Sequence, residues 1–183
     1  MRIELRQAAA ADFQAIADLA LAAFGAAEGP QIVRLIGDLS ADPTARPVLS
    51  LVAAASGKIV GHVLFSKVGI GPPGPDVAAA ILAPLAVHSD FQSRQIGGRL
   101  VAAGLRQLAD AGIALVFVLG HPSYYPRAGF SAAGRKGFQA PYPIPPGNAD
   151  AWMVKELRPG TIGNTRGQVI CADALADPGY WRE

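Results

Sequence analysis

Two apolar runs, Ala79–Val87 and Ala114–Gly120, flank a polar turn with glycines and a stretch of helical periodicity, and a tyrosine-bearing turn follows the second run. This order of strand, turn, helix, strand and turn constrains the fold more than any other part of the chain. The first run holds small and branched apolar residues, which suits a sheet interior covered on both faces. Pro84 interrupts it. A proline cannot donate to a ladder, so the strand is expected to bulge or splay there, freeing the amides of Leu85, Ala86 and Val87 for something other than strand partners. An edge strand, or a break between two strands, accounts for the proline equally well.

The turn reads His88-Ser-Asp-Phe-Gln-Ser-Arg-Gln-Ile-Gly-Gly98, after which Ile96, Leu100, Val101, Leu105 and Leu108 recur with helical spacing. Arg99, Arg106 and Asp110 fall on another face, and Gly112 is a suitable stop. The turn thus sets a helix amino end beside the splayed strand. Free amides there, with the positive end of the helix dipole, bind phosphate oxygens, and Gly97 and Gly98 let the backbone approach closely. Ordinary packing of helix on strand is the plainer reading of the same glycines.

Upstream, Arg2–Arg6 reads as a strand, and Phe13, Ile16, Leu19, Ala20, Ala23 and Phe24 form one helical face. A second helix is expected over Pro30–Leu39. Val48–Ala54 and Lys58–Val68 read as strands of a hairpin turning at Ser56-Gly57. Gly69–Asp76, rich in glycine and proline, reads as a connection. Downstream, prolines from Pro141 to Pro146 mark an irregular segment, and Ala151–Leu157 reads as the last core strand.

The 183 residues suffice for one well-buried domain, and no linker divides them. A formal net charge of +2 with no basic run argues against nucleic acid as a partner. Cys171 is the only cysteine, which rules out an intramolecular disulfide and any multi-cysteine metal site. No signal peptide and no apolar run of membrane-spanning length is read, so no membrane partner and a cytoplasmic location are expected.

With these residues in view, the chain resembles the GCN5-related N-acetyltransferase (GNAT) superfamily, particularly its YhbS-like predicted acetyltransferases. The family's pyrophosphate loop, Gln/Arg-x-x-Gly-x-Gly/Ala, is matched by Gln92-Ser-Arg-Gln-Ile-Gly97, with Gln95 where the first glycine usually stands. Its Tyr-x-x-x-Gly-Phe is matched by Tyr125, Gly129 and Phe130, with Tyr124, Pro122 and Gly120 fitting the YhbS-like form. Arg6-Gln-Ala and Asp12 resemble the family's opening strand and first helix.

The resemblance implies an α/β fold: a mixed, mostly antiparallel central sheet with a splayed strand pair and helices on both faces. Residues 1–183 would form one domain, with a cofactor core at about 79–130 and a C-terminal strand and irregular segment over 131–183. It implies acetyl-coenzyme A as cosubstrate, no metal, and transfer of acetyl to an amine of a small molecule or peptide. The cofactor would be held by Leu85, Ala86, Val87, Gln92, Ser93, Arg94, Gln95, Ile96, Gly97 and Gly98. The Leu85 amide would stabilise the oxyanion, and Tyr125 would protonate the departing thiolate or else pack its ring beneath the cofactor. No carboxylate lies in the first apolar run, so Glu28 in the loop between the first two helices, His62 and His88 are the candidate bases or acceptor contacts, each with a structural role as the alternative. Arg94 is a candidate phosphate contact or else a solvated turn residue, and Arg127 could do similar work but reads first as a surface charge. Homodimers are common among the resembling proteins. A catalytically silent acyl-coenzyme A sensor is the rival reading, favoured by Gln95. A binder of another nucleotide is a third, opposed by the absence of Gly-Lys-Ser/Thr and of Gly-x-Gly-x-x-Gly. Acceptor choice would lie in Ala23–Pro30, Gly69–Asp76 and the segment near Pro141, where Tyr142, Trp152 and Phe138 either line an aromatic pocket or are buried under the loop.

Overall fold

The computed structural model describes residues 1–71 and 76–182. Its elements, in chain order, are β1 (Ile3–Gln7), α1 (Phe13–Ala41), β2 (Leu49–Ala55), β3 (Lys58–Ile70), β4 (Ala79–Val87), α2 (Ile96–Asp110), β5 (Leu115–Leu119), β6 (Ser131–Ala132), β7 (Phe138–Gln139), β8 (Trp152–Glu156), α3 (Thr161–Asn164) and β9 (Gly167–Ile170). The sheet runs β1-β2-β3-β4-β5-β8-β6, and β9 pairs with the end of β3 and with β7. All neighbours on the main path whose direction matters here are antiparallel except β4 and β5. This is the mixed, mostly antiparallel sheet expected from the sequence.

Alternation along β3 divides the core. Leu64 and Val68 join Ile16, Ala20, Leu35, Ile36 and Leu39 of α1 on one face. Val63 and Phe65 join Ile96, Leu100, Leu105 and Leu108 of α2 on the other, so helices cover both faces. The α2 residues are those its periodicity singled out, and the helix stops as expected: Gly112 takes φ 87°, and the Ile113 amide donates to Leu108 O at 3.0 Å. The hairpin turn is also where it was expected, with Ser56 at φ 49° and Gly57 at φ 79° between paired Ala55 and Lys58.

Three sequence expectations are corrected. The loop expected over Ala23–Pro30 is a single non-helical residue inside α1, Gly25, at φ 78° and ψ −178°. Beyond it the chain doubles back, and a Cβ on Gly29 would lie only 3.0 Å from the Leu21 backbone. Glu28 therefore sits in the first turn of the second helical half, the helix-start position that was its structural alternative, and Pro30 lies in the next turn rather than in a loop. The break also bears on length. Although α1 is apolar enough overall to cross a bilayer, neither half, at about 1.5 Å per residue, reaches the ~30 Å of a hydrocarbon core.

Gly69 and Ile70 belong to β3 and pair with Ile170 and Val169 of β9; of the connection expected there, residues 72–75 lie outside the described residues. Trp152–Glu156 is a core strand but not the last, because β9 follows it. Alternation in β9 is short and polar, and its pairing with β3 is a long-range choice that local pattern does not carry.

Candidate active site

The site begins where β4 and β5 part. They pair from Ala79 and Leu115 to Leu82 and Val118, whereas β4 stays on β3 as far as Val87, opposite Gly61. Between these points the register of β3 and β4 slips: Phe65 faces Leu82 but Val63 faces Leu85, so β4 carries an extra residue at Ala83-Pro84, whose peptide bond is cis. Of the readings the proline allowed, the structure takes the bulged interior strand, not the edge. The His88 amide donates to Val60 O at 2.9 Å, which fixes the phase of the ladder. Ala86, opposite His62, turns its backbone groups toward β3, and Leu85 and Val87 turn theirs toward the side β5 has left. The Ala86 amide, expected to be available, is committed to β3.

The turn after β4 leads to the amino end of α2. His88 caps a short 3-10 turn, its Nδ1 accepting from the Asp90 amide at 3.2 Å. The Gln92 side-chain Nε2 donates to Val87 O at 3.5 Å, an outer-limit contact on the gap side of β4. Ser93 is left-handed at φ 64°, and the Arg94 guanidinium lies 5.3 Å from the centre of the Phe91 ring. Gln95, at φ 61° and ψ 14°, accepts the left-handed conformation that glycine usually supplies, with no side-chain cap. A residue with a Cβ pays roughly 1–2 kcal/mol for this. The first intrahelical bond is from the Arg99 amide to Gln95 O at 2.9 Å, so the amides of Ile96, Gly97 and Gly98 precede the helical ladder. Ile96 contributes only backbone here, since its side chain is core.

Gly97 and Gly98 differ. A Cβ on Gly97 would fall on the Tyr124 hydroxyl and lie 3.5 Å from Val87 Cγ2, whereas one on Gly98 would meet nothing within 4 Å. Glycine at 97 is therefore required by a tyrosine, and the space at 98 is open to a ligand.

The Tyr125–Ala128 turn ends in Gly129 at φ 93°, the left-handed cap that explains the glycine of the motif. Tyr125 is 9% exposed, wedged against Gly120 and edge-on to Tyr124 and Phe130, with ring centroids 5.0 and 5.8 Å away. Tyr124 is half-buried, and the Arg127 guanidinium lies 5.9 Å from its ring centre. The position of Tyr124 at the mouth of the gap was missed from the sequence; the Tyr-Tyr doublet was its only signal.

The three candidate bases are not brought to one place. Glu28 is exposed on α1. His88 holds the turn as described. His62 is fully buried on the α1 face of β3, with Nε2 2.8 Å from Ser50 Oγ and Nδ1 without a partner. Burial lowers its pKa to about 4, so it is neutral at pH 7. The rings of Phe138 and Trp152 are buried, with Trp152 stacked on Phe117 at 5.2 Å; they are core rather than the lining of an open pocket. Among the described residues, no group of three or more His, Cys, Asp or Glu side chains is placed to hold a metal.

A sheet parted at a bulged strand, with a helix amino end and a Tyr-x-x-x-Gly-Phe turn at its mouth, defines a GNAT-type acyltransferase. The chain belongs to that family: residues 4–133 match the acetyltransferase (GNAT) domain. It is 44% identical over 140 residues to the uncharacterized N-acetyltransferase YjhQ of Escherichia coli, covering 76% of this chain and 77% of that protein. Its fold is similar to that of the E. coli GNAT family N-acetyltransferase YhbS in complex with CoA, with a TM-score of 0.85, 29% identity and coverage of 97% and 93% of the two chains. A GNAT family acetyltransferase from Brucella melitensis in complex with acetyl-CoA follows at a TM-score of 0.75 and 28% identity, covering 95% and 98%.

Proposed function

We propose that this enzyme moves the acetyl group of acetyl-coenzyme A to a primary amine of a small molecule or peptide by direct attack on the thioester. The observation that carries the reading is the gap between β4 and β5, into which Leu85 and Val87 turn their backbone groups and which opens beside the free amides of α2. An extended pantetheine arm fits the first feature, and a diphosphate fits the second. The open space at Gly98 supports the fit.

In this reading the amine nitrogen attacks the thioester carbonyl carbon, the carbon–sulfur bond breaks, and the thiolate takes up a proton while the nitrogen loses one. Holding the amine in the gap supplies much of the rate by proximity. The Leu85 amide stabilises the charge developing on the carbonyl oxygen. Tyr125 gives the thiolate its proton. His62 is a poor proton acceptor, being fully buried with its pKa lowered to about 4, so the nitrogen's proton is released to solvent rather than to the imidazole. Location in the cytoplasm and a single working domain of residues 1–183 are part of the proposal.

The left-handed Gln95 favours one alternative, a sensor that binds acyl-coenzyme A without turnover. Calorimetric titration with acetyl-coenzyme A, followed by an amine screen, separates the two. The comparison protein is Gly98→Glu, because a carboxylate there faces the diphosphate without displacing Tyr124. Micromolar binding, weakened at least ~100-fold by Gly98→Glu, with turnover that falls in Tyr125→Phe, is the expected result. Binding with no turnover on any amine would favour the sensor, and absence of binding would sink both.

A further inference from the structure

The Tyr124 hydroxyl sits where Gly97 has no Cβ and beside Val87, so it lies between the amino end of α2 and the end of β4. Those are the two elements proposed above to hold the two ends of the cofactor arm. The hydroxyl has no hydrogen-bond partner among the described residues, although the side chain is half-buried. Its ring is fixed edge-on by Tyr125, with an interplanar angle of 80°, and overlaid by the Arg127 guanidinium. The Tyr124 hydroxyl is not among the buried atoms that lack a partner, so it is open to water or to a ligand that displaces that water. Packing alone does not ask for the hydroxyl: phenylalanine would give the same ring contacts and leave a looser fit over Gly97.

We propose that Tyr124 is a cofactor-positioning residue, its hydroxyl donating a hydrogen bond to a phosphate oxygen of acetyl-coenzyme A where the arm passes from the amino end of α2 into the gap between β4 and β5. This rests on the acetyltransferase reading and adds to it a residue outside the glycine loop. Burial pushes the phenol's pKa up, with Arg127 opposing, so the hydroxyl keeps its proton at neutral pH and acts as a donor. The Arg127 guanidinium adds positive charge on the same side. Tyr124 is thereby distinguished from Tyr125, which is the deeper of the two.

The test is Tyr124→Phe, read by calorimetry with coenzyme A and by steady-state kinetics. The expected result is a Kd for coenzyme A and a KM for acetyl-coenzyme A each raised about tenfold, the scale of a hydrogen bond to a charged acceptor, with kcat within about twofold. The melting temperature of the free protein should hold, and the rise in melting temperature on adding coenzyme A should shrink. A second pair of variants guards against a structural effect. Gly97→Ala forces the hydroxyl aside and should lower both stability and affinity; adding Tyr124→Phe should restore stability but not affinity. Unchanged Kd and KM in Tyr124→Phe, alongside tight wild-type binding, would overturn this proposal and leave the acetyltransferase reading standing. A fall in kcat at unchanged KM would likewise overturn it and assign the hydroxyl to proton transfer. A wild type that fails to bind coenzyme A at all would overturn both.

Discussion

On the α2 face of the sheet the helix comes close because glycines make room. A Cβ on Gly61 would lie 2.9 Å from both Ile96 Cγ2 and Leu100 Cδ1, and one on Gly104 would fall on the Phe65 ring. On the α1 face the space is filled instead by rings from distant parts of the chain. Phe117 stacks on Trp152, Trp152 meets Trp181 edge-on at 5.7 Å, and the Trp181 indole donates to Leu175 O at 3.0 Å. The α1 face also buries polar groups, His62 Nδ1 and Ser66 Oγ, that have no partner. One face is a close apolar fit that holds α2 in place. The other joins α1, near the start of the chain, to rings from its far end, and it buries two polar groups without partners.

If that contrast is right, the largest loss of stability should come from the α1 face through a residue at the far end of the chain. Trp181→Ala removes a 2% exposed ring and its hydrogen bond, and should cost about 3–5 kcal/mol, read as a lower urea midpoint at unchanged slope. A cost under ~1 kcal/mol would mean that the C-terminal segment is not part of the core.

The second effect tests the buried polar groups. His62 has its pKa lowered by burial to about 4 from 6.5. As pH falls below 6.5 the unfolded chain takes up a proton that the folded chain refuses. Stability from this group is thus complete above pH 6.5 and is lost as pH falls toward 4, by about 3 kcal/mol. His62→Gln should flatten that part of the curve of stability against pH, and equal slopes in both proteins would show that the imidazole is not held neutral.

The smallest effect belongs to the α2 face. Gln95→Gly relieves the left-handed strain but makes the unfolded chain more flexible, for a net gain of about 0.5–1 kcal/mol. The amides at Ile96, Gly97 and Gly98 are unaffected, so coenzyme A affinity should change by less than about twofold. A large gain in affinity would mean that the glutamine distorts the loop it occupies.

The same contrast separates what was legible from what was not. The interruption at Pro84, the buried stripe of α2 and the cap at Gly129 rest on local chemistry, namely a missing N–H, a period of 3.6 and a backbone in the left-handed region, whereas the choice of a bulge over an edge strand took the pairing with β3. A break between two helices was legible near Gly25, but that it is a single residue was hidden because alanines continue around it, and composition alone does not say how few residues such a run needs to turn. Tyr142, Trp152 and Phe138 were visible as an aromatic group, but whether they line a pocket or fill a core depends on Trp181, which lies outside their sequence neighbourhood.

The sequence by itself determined the strand-turn-helix-strand unit, its glycines and its tyrosine turn, because each is set by neighbours a few residues apart. Only the tertiary structure decided that Ala86 faces β3 while Leu85 and Val87 face the gap, that Gly97 answers to Tyr124 and Gly98 to open space, and that His62 keeps an unpartnered nitrogen. Those depend on ladder phase and on contacts between residues far apart in the chain, which periodicity does not encode.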